Sequence, residues 1–459
     1  MQDAPPFRSL YQDSVQGLDD HFLVRYQVVP ADGLELTEVA RRLLLIVTQR
    51  TLTRAGIEPP VDRLGVIVGH PTFVSGQSWA TVRLALPAWV ARPHEGISQL
   101  MLALTAPVEY GYTKKLWVDG VDLPEWYVDG FSGPRFGVSG VRDLFGVPDR
   151  PLLGLVVKPR VGVSAAEVLK RCEAALEGGV DFLVDDLLLG NPDGEFSLRD
   201  RVARFATLCG SMENRTKKRK LYFAHVAGTP IRALRDAVAA VRLGADGLLL
   251  NGFLAGIDLV EDLTRMLDKM DLSVPVIVSN MGSGIASRVP TPDETQSPPS
   301  LAGMSEAVIA RLSRLVGADA VHTGTSQSEC YEVAWNDAVT ALHSPLAGTE
   351  SGLAPSFRVA EGDLQAAGLW KNIYELSDHT GPTRADVLFE LTNAIHGFTD
   401  GTGAPSALSG ARVYSSLISA LWNARDAKEA RKASEQLATG DREVRNYLDR
   451  IRFFKEFNP

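Results

Sequence analysis

Residues with reactive side chains follow short apolar runs along the chain from residue 151 onward. Those at or just past the ends of such runs are Lys158, Asp185, Asp186, His225, Asn251, Ser279, Asn280, His322, Ser377, Asp378 and Asp400. Lysine, histidine and aspartate can move protons and stabilise a developing negative charge. If the runs are parallel strands whose ends meet, we expect a polar pocket that binds a small molecule.

Several roles remain open for the most reactive of these residues. Lys158 could donate a proton, stabilise an oxyanion or form a Schiff base, or it could simply pair with Asp186. His225 and His322 could act as acid and base near neutral pH, although a single strand-end histidine is more often structural. Asp186, His225 and His322 could also form a metal site with two histidines and one carboxylate, if their strands converge.

The apolar runs alternate with segments of helical spacing, which is the pattern of a (β/α)8 barrel. The runs are 152–158, 182–186, 221–226, 247–251, 276–280 and 320–323, with weaker seventh and eighth candidates at 372–377 and 394–398. A Gly-x-Asp motif precedes three of them, at Gly179–Asp181, Gly244–Asp246 and Gly317–Asp319. Glycine there predicts a left-handed helix cap and a tight turn into the next strand.

The chain divides into two predicted domains. Residues 1–147 mix strand and helix patterns, and we expect an α+β, ferredoxin-like domain. Residues 148–459 form the predicted TIM barrel, with a charged helical extension from about residue 420. The fold class is therefore α/β.

Composition sets limits on function and location. The chain has 45% hydrophobic and 22% charged residues with a formal net charge of -9, and no basic block of five or more residues. Nucleic acid is thus not an expected partner. There is no apolar stretch long enough for a membrane span, and no leader pattern. The three cysteines are widely separated, so we expect a cytoplasmic protein without a disulfide framework.

Three segments resemble signatures of the RuBisCO large-subunit family. The segment 154–162, with Lys158-Pro-Arg160, resembles the strand-one signature with its KPK core. The segment 178–186 resembles GGxDFxKDDE, and 320–325 is similar to HxHxGT. The likeness runs from about residue 20 to 425. It implies a homodimer in which the N-terminal domain of one chain closes the barrel of the other, with Thr53 entering the partner's site.

The resemblance also implies that the family's metal chemistry is absent. In RuBisCO the second of these segments supplies a lysine that CO2 carbamylates, then an aspartate and a glutamate, and all three bind Mg2+. Here Val184 and Leu187 stand at the lysine and glutamate positions, and Asp186 alone matches. Mg2+ requires about six oxygen ligands in near-octahedral geometry. We therefore predict no metal, no cofactor and no fixation of CO2.

Other departures from the family point to a different substrate. Arg160 replaces a catalytic lysine, Ser279-Asn280 replace a His-Arg pair, and the mobile-loop lysine falls near Glu329. The Gly-Gly phosphate turns are assigned to Asp378-His379 and Asp400-Gly401, which removes backbone donors and adds acid. The predicted substrate-binding residues are Arg160, Asp185, Asn251, Ser279, Asn280, Thr53, Ser377, Asp378, Asp400 and Gly401.

The function that this sequence favours is that of a form IV RuBisCO-like protein that does not fix CO2. It would be an isomerase or lyase that enolises a small oxo-acid or sugar-derived carbonyl compound by isomerisation, tautomerisation or C–C cleavage. The predicted catalytic residues are Lys158, His322, Asp186 and His225. Two alternatives stay open: a degenerate scaffold with a binding or regulatory role, and a methionine-salvage enolase or isomerase acting on a phosphorylated methylthio sugar, against which Val184 argues.

Overall fold

The protein is described from a computed structural model. The residues that it describes are 10–48, 65–76, 78–159, 162–189, 194–283, 302–323, 338, 340–344, 352–362, 364–374, 386–400 and 402–453.

A mixed sheet with flanking helices is built by the N-terminal part of the chain, up to about residue 128. Its strands are β1 Tyr11–Gln12, β2 Phe22–Pro30, β3 Val66–Val68, β4 Thr72–Phe73, β5 Ala80–Leu86 and β6 Thr113–Asp122. Its helices are α1 Leu36–Thr48, α2 Gly96–Thr105 and α3 Glu125–Val128, with 3-10 turns at Ala88–Val90, Pro93–Glu95 and Ala106–Tyr110. Alternate residues of β2 are buried, as expected for a strand with one face on a core. This α+β arrangement agrees with the sequence-based expectation.

The remaining elements build a closed parallel barrel with helices around it. The strands are β7 Leu152–Val157, β8 Phe182–Asp185, β9 Leu221–His225, β10 Gly247–Asn251, β11 Val276–Ser279, β12 Ala302–Met304, β13 Ala320–His322, β14 Phe357–Glu361 and β15 Val387–Leu391. All except β12 close the barrel, in chain order. The helices are α4 Gly137–Phe145, α5 Ala165–Gly178, α6 Leu198–Thr216, α7 Pro230–Arg242, α8 Gly252–Ala255, α9 Asp258–Lys269, α10 Glu306–Leu315, α11 Ala366–Tyr374, α12 Asn393–His396, α13 Ala407–Asn423, α14 Ala427–Gly440 and α15 Arg442–Arg450, with a 3-10 turn at Gly194–Phe196. The predicted eight-stranded barrel is confirmed.

The positions predicted for the seventh and eighth strands are wrong. Residues 372–374 belong to α11 and residues 394–396 to α12, whereas the seventh and eighth barrel strands are β14 and β15. Both strands carry a buried charged residue that interrupts the apolar run: Arg358, which donates to the side chain and carbonyl of Asn372, and Glu390. Periodicity alone cannot separate a short apolar helix segment from a short strand.

Helix α4 closes the amino-terminal end of the barrel. Val138, Val141 and Phe145 pack in one cluster with the side chains that fill the barrel interior. Asp319 accepts hydrogen bonds from the backbone N–H groups of Phe136 and Gly137 at 2.7 and 2.8 Å, at the start of this helix. The domain boundary predicted after residue 147 therefore lies after α4, although α4 packs against the barrel.

The three Gly-x-Asp motifs explain how neighbouring barrel strands are held in register. Their glycines have φ values of 116°, 103° and 110°, as the predicted left-handed caps require. Each aspartate accepts a hydrogen bond from a backbone N–H of the preceding barrel strand. The pairs are Asp181 with Leu153, Asp246 with Tyr222 and Asp319 with Val276, at 2.9, 3.0 and 2.9 Å.

Two contacts fasten the N-terminal sheet to the barrel. Strand β12, which lies between β11 and β13 in the chain, pairs in parallel with β6 and so adds a strand to the N-terminal sheet. Asp258, at the start of α9, accepts from the N–H groups of Ile97 and Ser98 at 2.6 and 3.1 Å, and from the Ser98 hydroxyl. The barrel thus caps the first turn of α2. Among the described residues no helix is long and apolar enough to cross a membrane.

Candidate active site

Each barrel strand brings one polar side chain to the carboxyl end of the barrel. Successive strand residues face opposite sides, and the residue two positions earlier in each case belongs to the cluster that fills the barrel. The eight inward positions are occupied by Lys158, Asp186, His225, Asn251, Ser279, His322, Glu361 and Glu390. The first six are predicted from the sequence. Glu361 and Glu390 are missed, because the last two strands are placed elsewhere by the sequence pattern.

Lys158 and Asp186 form an ion pair at the mouth. The distance from Lys158 Nζ to Asp186 Oδ2 is 3.5 Å, and the two side chains are 34% and 6% exposed. Asp186 Oδ1 also accepts from the N–H of Leu188 at 2.8 Å. The ammonium of Lys158 is therefore oriented by a buried carboxylate and still reachable from solvent.

His322 lies between two carboxylates. Its Nδ1 is 3.2 Å from Glu361 Oε2, and its Nε2 is 3.2 Å from Glu390 Oε2, although neither contact has the angle of a regular hydrogen bond. Burial alone would lower the pKa of this imidazole, but the negative charges of Glu390 and Glu361 outweigh it and raise the pKa to about 10. At neutral pH the ring is therefore an imidazolium.

The two glutamates respond differently to their surroundings. Burial raises the pKa of Glu390, against the opposing pull of His322. Burial also acts to raise the pKa of Glu361, but contact with His322 and the nearby charge of Lys158 outweigh it, so this pKa is lowered. Glu361 is thus a carboxylate that interacts with both Lys158 and His322.

His225 is a neutral imidazole in this arrangement. It is buried, and burial lowers its pKa despite the nearby charge of Asp185. Its Nδ1 lies 3.3 Å from the carbonyl oxygen of Leu189, in the loop that follows β8. A neutral histidine can accept or donate a proton through its other nitrogen.

Asp185 faces away from the mouth. Its carboxylate pairs with Arg201 of α6 at 2.8 Å. It also accepts hydrogen bonds from the Tyr222 hydroxyl at 2.8 Å and from the backbone N–H of His225 at 2.9 Å. Because its side chain is 0% exposed, substrate contact would require this ion pair to open. We therefore correct its predicted role from substrate binding to support of the strands that carry Asp186 and His225.

Three other predicted binding residues organise the loops beyond β10 and β11. Asn251 accepts from the N–H of Leu254 and donates to the carbonyl of Met281, both at 2.8 Å. Ser279 Oγ accepts from the N–H of Met281 at 3.1 Å. Asn280 is buried, and its side-chain amide has no partner among the residues that the structure describes.

Asp400 does not end a barrel strand, which corrects its predicted position. The eighth strand ends at Leu391, and Asp400 instead accepts from the N–H and hydroxyl of Thr402 at 2.8 and 2.6 Å within its own turn. Strands β14 and β15 end at Glu361 and Leu391 and are followed by Gly362 and Thr392, so neither Asp378-His379 nor Asp400-Gly401 directly follows a barrel strand. The predicted residues Thr53, Arg160, Ser377, Asp378 and Gly401 lie outside the described ranges.

Comparison with known proteins shows which family the barrel resembles. The family model described as "Ribulose bisphosphate carboxylase large chain, catalytic domain" matches residues 137–342. This part of the chain is therefore similar to the catalytic domain of the RuBisCO large chain. It is 27% identical over 326 residues to a ribulose bisphosphate carboxylase of Archaeoglobus fulgidus, covering 70% of each chain. It is 31% identical over 223 residues to a ribulose bisphosphate carboxylase-like protein of the same organism, covering 48% of each.

Further relatives include an enzyme named for another reaction. The chain is 28% identical over 343 residues to the 2,3-diketo-5-methylthiopentyl-1-phosphate enolase of Geobacillus kaustophilus, covering 70% of this chain and 73% of the enolase. Among solved structures, the octameric RuBisCO of Pyrococcus horikoshii matches with a TM-score of 0.77 at 22% identity, covering 95% and 98% of the two chains. The dimeric RuBisCO of Hyperthermus butylicus matches with a TM-score of 0.77 at 20% identity, covering 96% and 98%. These structures share the fold.

The barrel has an apolar lining where the resemblance places the family's metal ligands. Val184 is fully buried in the barrel interior, and Leu187 packs against the same cluster. Neither side chain carries an oxygen. The described residues contain no group of three or more His, Cys, Asp or Glu side chains arranged to hold a metal ion. The donors present do not fit the family's Mg2+.

Proposed function

We propose that the protein is a RuBisCO-like enzyme that forms an enolate from a small, unphosphorylated carbonyl compound and does not fix CO2. The observation that carries this proposal is the ring of eight polar side chains at the barrel mouth, in which the partly exposed Lys158 lies near two carboxylates and an imidazolium. Such a set can remove a proton beside a carbonyl and stabilise the oxygen that becomes negative.

Lys158 is the proposed electrophile of the site. Its ammonium is held 3.5 Å from Asp186 and keeps one third of its side chain exposed, so a substrate carbonyl can reach it. A fixed positive charge in a partly closed pocket stabilises an enolate oxygen more than water does. Asp186 positions the ammonium, and His225 offers a neutral imidazole on the neighbouring strand.

The side chains at this site cannot support the family's carbamate chemistry. A valine side chain has no amine that CO2 could carbamylate, and Leu187 brings no oxygen to a cation. Mg2+ needs about six oxygen ligands, and Asp186 is already engaged with Lys158.

The charges of the mouth favour a substrate without phosphate groups. The described groups at the mouth that carry positive charge are Lys158 and His322, while Asp186 and Glu361 are acids beside them, and Glu390 lies below. A bisphosphate would therefore meet nearby carboxylates with few free cations to offset them. Small oxo-acids and sugar-derived ketones fit this balance better.

A second candidate is an enolase or isomerase of a phosphorylated methylthio sugar. The similarity to the Geobacillus kaustophilus enolase favours it, and Val184 at the position of the metal lysine opposes it. A scaffold without catalysis is the third candidate, and the polar residues at the barrel mouth argue against it.

A homodimer with shared sites is part of the proposed enolate-forming function. The dimeric Hyperthermus butylicus neighbour supports it, and sedimentation equilibrium at twice the chain mass would agree with it.

The proposed function is tested by hydrogen exchange. The protein is incubated in D2O with dihydroxyacetone, ribulose, 2-oxobutanoate and ribulose 1,5-bisphosphate, and loss of the proton beside the carbonyl is followed by NMR. We expect the wild type to exchange the proton beside the carbonyl of an unphosphorylated probe, and we expect this exchange to persist when a chelator is present. Lys158→Met should slow it about 100-fold, since one fixed electrostatic group is removed. The exposed Lys170→Met is the matched control.

Each other outcome has a definite meaning. Exchange that needs Mg2+ and bicarbonate would restore the metal-dependent reading. Exchange confined to the bisphosphate would move the phosphorylated substrate to first place. Equal rates in Lys158→Met and wild type would remove Lys158 from the mechanism, and no exchange with any probe would favour the scaffold.

A further inference from the structure

Three consecutive barrel strands place Glu390, His322 and Glu361 in one line of contacts. Strands β13, β14 and β15 are neighbours, and Glu361 and Glu390 are register partners. Like charges directly opposite each other on adjacent strands repel. The ring of His322 relieves this, because each of its nitrogens lies 3.2 Å from one of the two carboxylates.

The line runs from the barrel interior to the mouth. The side chains of Glu390, His322 and Glu361 are 1%, 7% and 29% exposed. Glu390 and His322 are therefore shielded from a molecule in the mouth, whereas Glu361 presents oxygen to it. Glu361 also lies close enough to Lys158 for their charges to interact.

A histidine held between two carboxylates is a poor base. The imidazolium form has a proton on each nitrogen and no lone pair with which to accept another. The charged groups beside this trio, within the described residues, are Lys158 and its partner Asp186. His322 therefore serves better as a fixed positive charge than as a group that takes up a proton.

We propose that Glu361 is the catalytic base of the site, and that His322 and Glu390 are positioning residues that hold its carboxylate. This inference rests on the proposed enolate function and assigns its proton transfer to a residue outside the recognised motifs. The substrate class is a carbonyl compound with an exchangeable proton on the adjacent carbon.

The proton transfer balances without any other reactant. The C–H bond next to the carbonyl breaks, and its proton forms an O–H bond on Glu361. The C–H electron pair becomes the enolate double bond, while the carbonyl pair moves to the oxygen that faces the ammonium of Lys158. After the O–H proton on Glu361 has exchanged with solvent, delivery of a solvent proton from Glu361 to the same carbon gives hydrogen exchange. In an α-hydroxy carbonyl compound, delivery of the proton to the former carbonyl carbon, with transfer of the hydroxyl proton to the former carbonyl oxygen, gives isomerisation.

The first experiment needs no substrate. Long-range 1H–15N NMR spectra record the protonation of the His322 ring between pH 6 and 8, with His322→Gln used to assign its signals among the eight histidines. We expect both ring nitrogens of the wild type to stay protonated, and a neutral fraction to appear in Glu390→Gln. A neutral His322 ring in the wild type at pH 7 would overturn the inference.

The second experiment measures exchange of the probe that the wild type turns over. Glu361→Gln should lower kcat about 100- to 1,000-fold with little change in KM, since a general base contributes roughly 10²–10⁴ in rate. Glu361→Asp should recover part of the rate and keep an acid limb in the pH profile. Glu435→Gln, on an exposed helix face, is the control for losing one carboxylate.

The outcomes separate the two proposals. Exchange that survives unchanged in a folded Glu361→Gln protein overturns this inference and leaves the enolate function standing. A wild type that exchanges no probe overturns both. Circular dichroism and thermal unfolding show whether each variant is folded, and Glu361 is the safer site because its side chain is partly exposed.

Discussion

At the scale of single residues, Asp185 and Asp186 show how adjacent identical side chains take different roles. Asp186 points into the mouth beside Lys158, whereas Asp185 points outward into a buried ion pair with Arg201. The alternation of side chains along a strand imposes this division. The sequence showed two aspartates at a strand end, but which one faces inward depends on the register of the barrel.

Asp185→Asn should be strongly destabilising. It leaves the Arg201 guanidinium buried without its counter-charge, and breaking a buried pair costs about 3–5 kcal/mol of unfolding free energy. Urea unfolding measures this loss. Glu173→Gln, which breaks the exposed pair with Arg215, should cost under about 1 kcal/mol. Equal effects of the two changes would show that the buried pair has no special weight.

At the scale of elements, polar residues at element ends hold the scaffold in register. The Gly-x-Asp aspartates tie each strand to its predecessor, and Asp258 ties α9 of the barrel to α2 of the N-terminal sheet. The motif spacing predicted the turns because glycine caps are local. The link from Asp258 to Ile97 crosses the domain boundary, and no local pattern reports it.

Asp258→Ala should weaken the contact between the two halves. The variant leaves the N–H groups of Ile97 and Ser98 without their acceptor, and loss of such a cap costs about 0.5–2 kcal/mol. Thermal and urea unfolding should show this loss, and hydrogen exchange should speed up first in α2. Asp262→Ala on the exposed face of the same helix is the control. Unchanged exchange in α2 would contradict the proposed role of Asp258.

At the scale of the whole molecule, closing the barrel creates a charge arrangement that no segment contains. His322 meets Glu361 and Glu390 because three consecutive strands, separated by 25 or more residues of intervening chain, lie side by side in the barrel. The folded pKa of His322 is about 10, above the ordinary value of 6.5. Its contribution to stability is therefore complete below about pH 6.5 and is lost as pH rises towards 10.

The unfolding free energy should accordingly fall between pH 7 and pH 9. One extra proton bound by the folded state corresponds to a slope of at most about 1.4 kcal/mol per pH unit. His322→Gln should flatten this slope in urea unfolding at the two pH values. Burial raises the pKa of Asp319 to about 6, so this residue titrates below pH 7 and does not contribute to the slope between pH 7 and pH 9. Parallel slopes for the variant and the wild type would contradict the charge state of His322.

The amino-acid sequence by itself determined the barrel, its glycine caps and six of the eight inward polar residues, because those strands are continuous apolar runs followed by a polar residue. Only the tertiary structure decided the rest. Arg358 and Glu390 interrupt the last two strands, and a buried charge is tolerated there because a partner from another element faces it. Such partners exist only once the barrel has closed. The roles proposed for Glu361 and Glu390 could therefore not be derived from local sequence patterns.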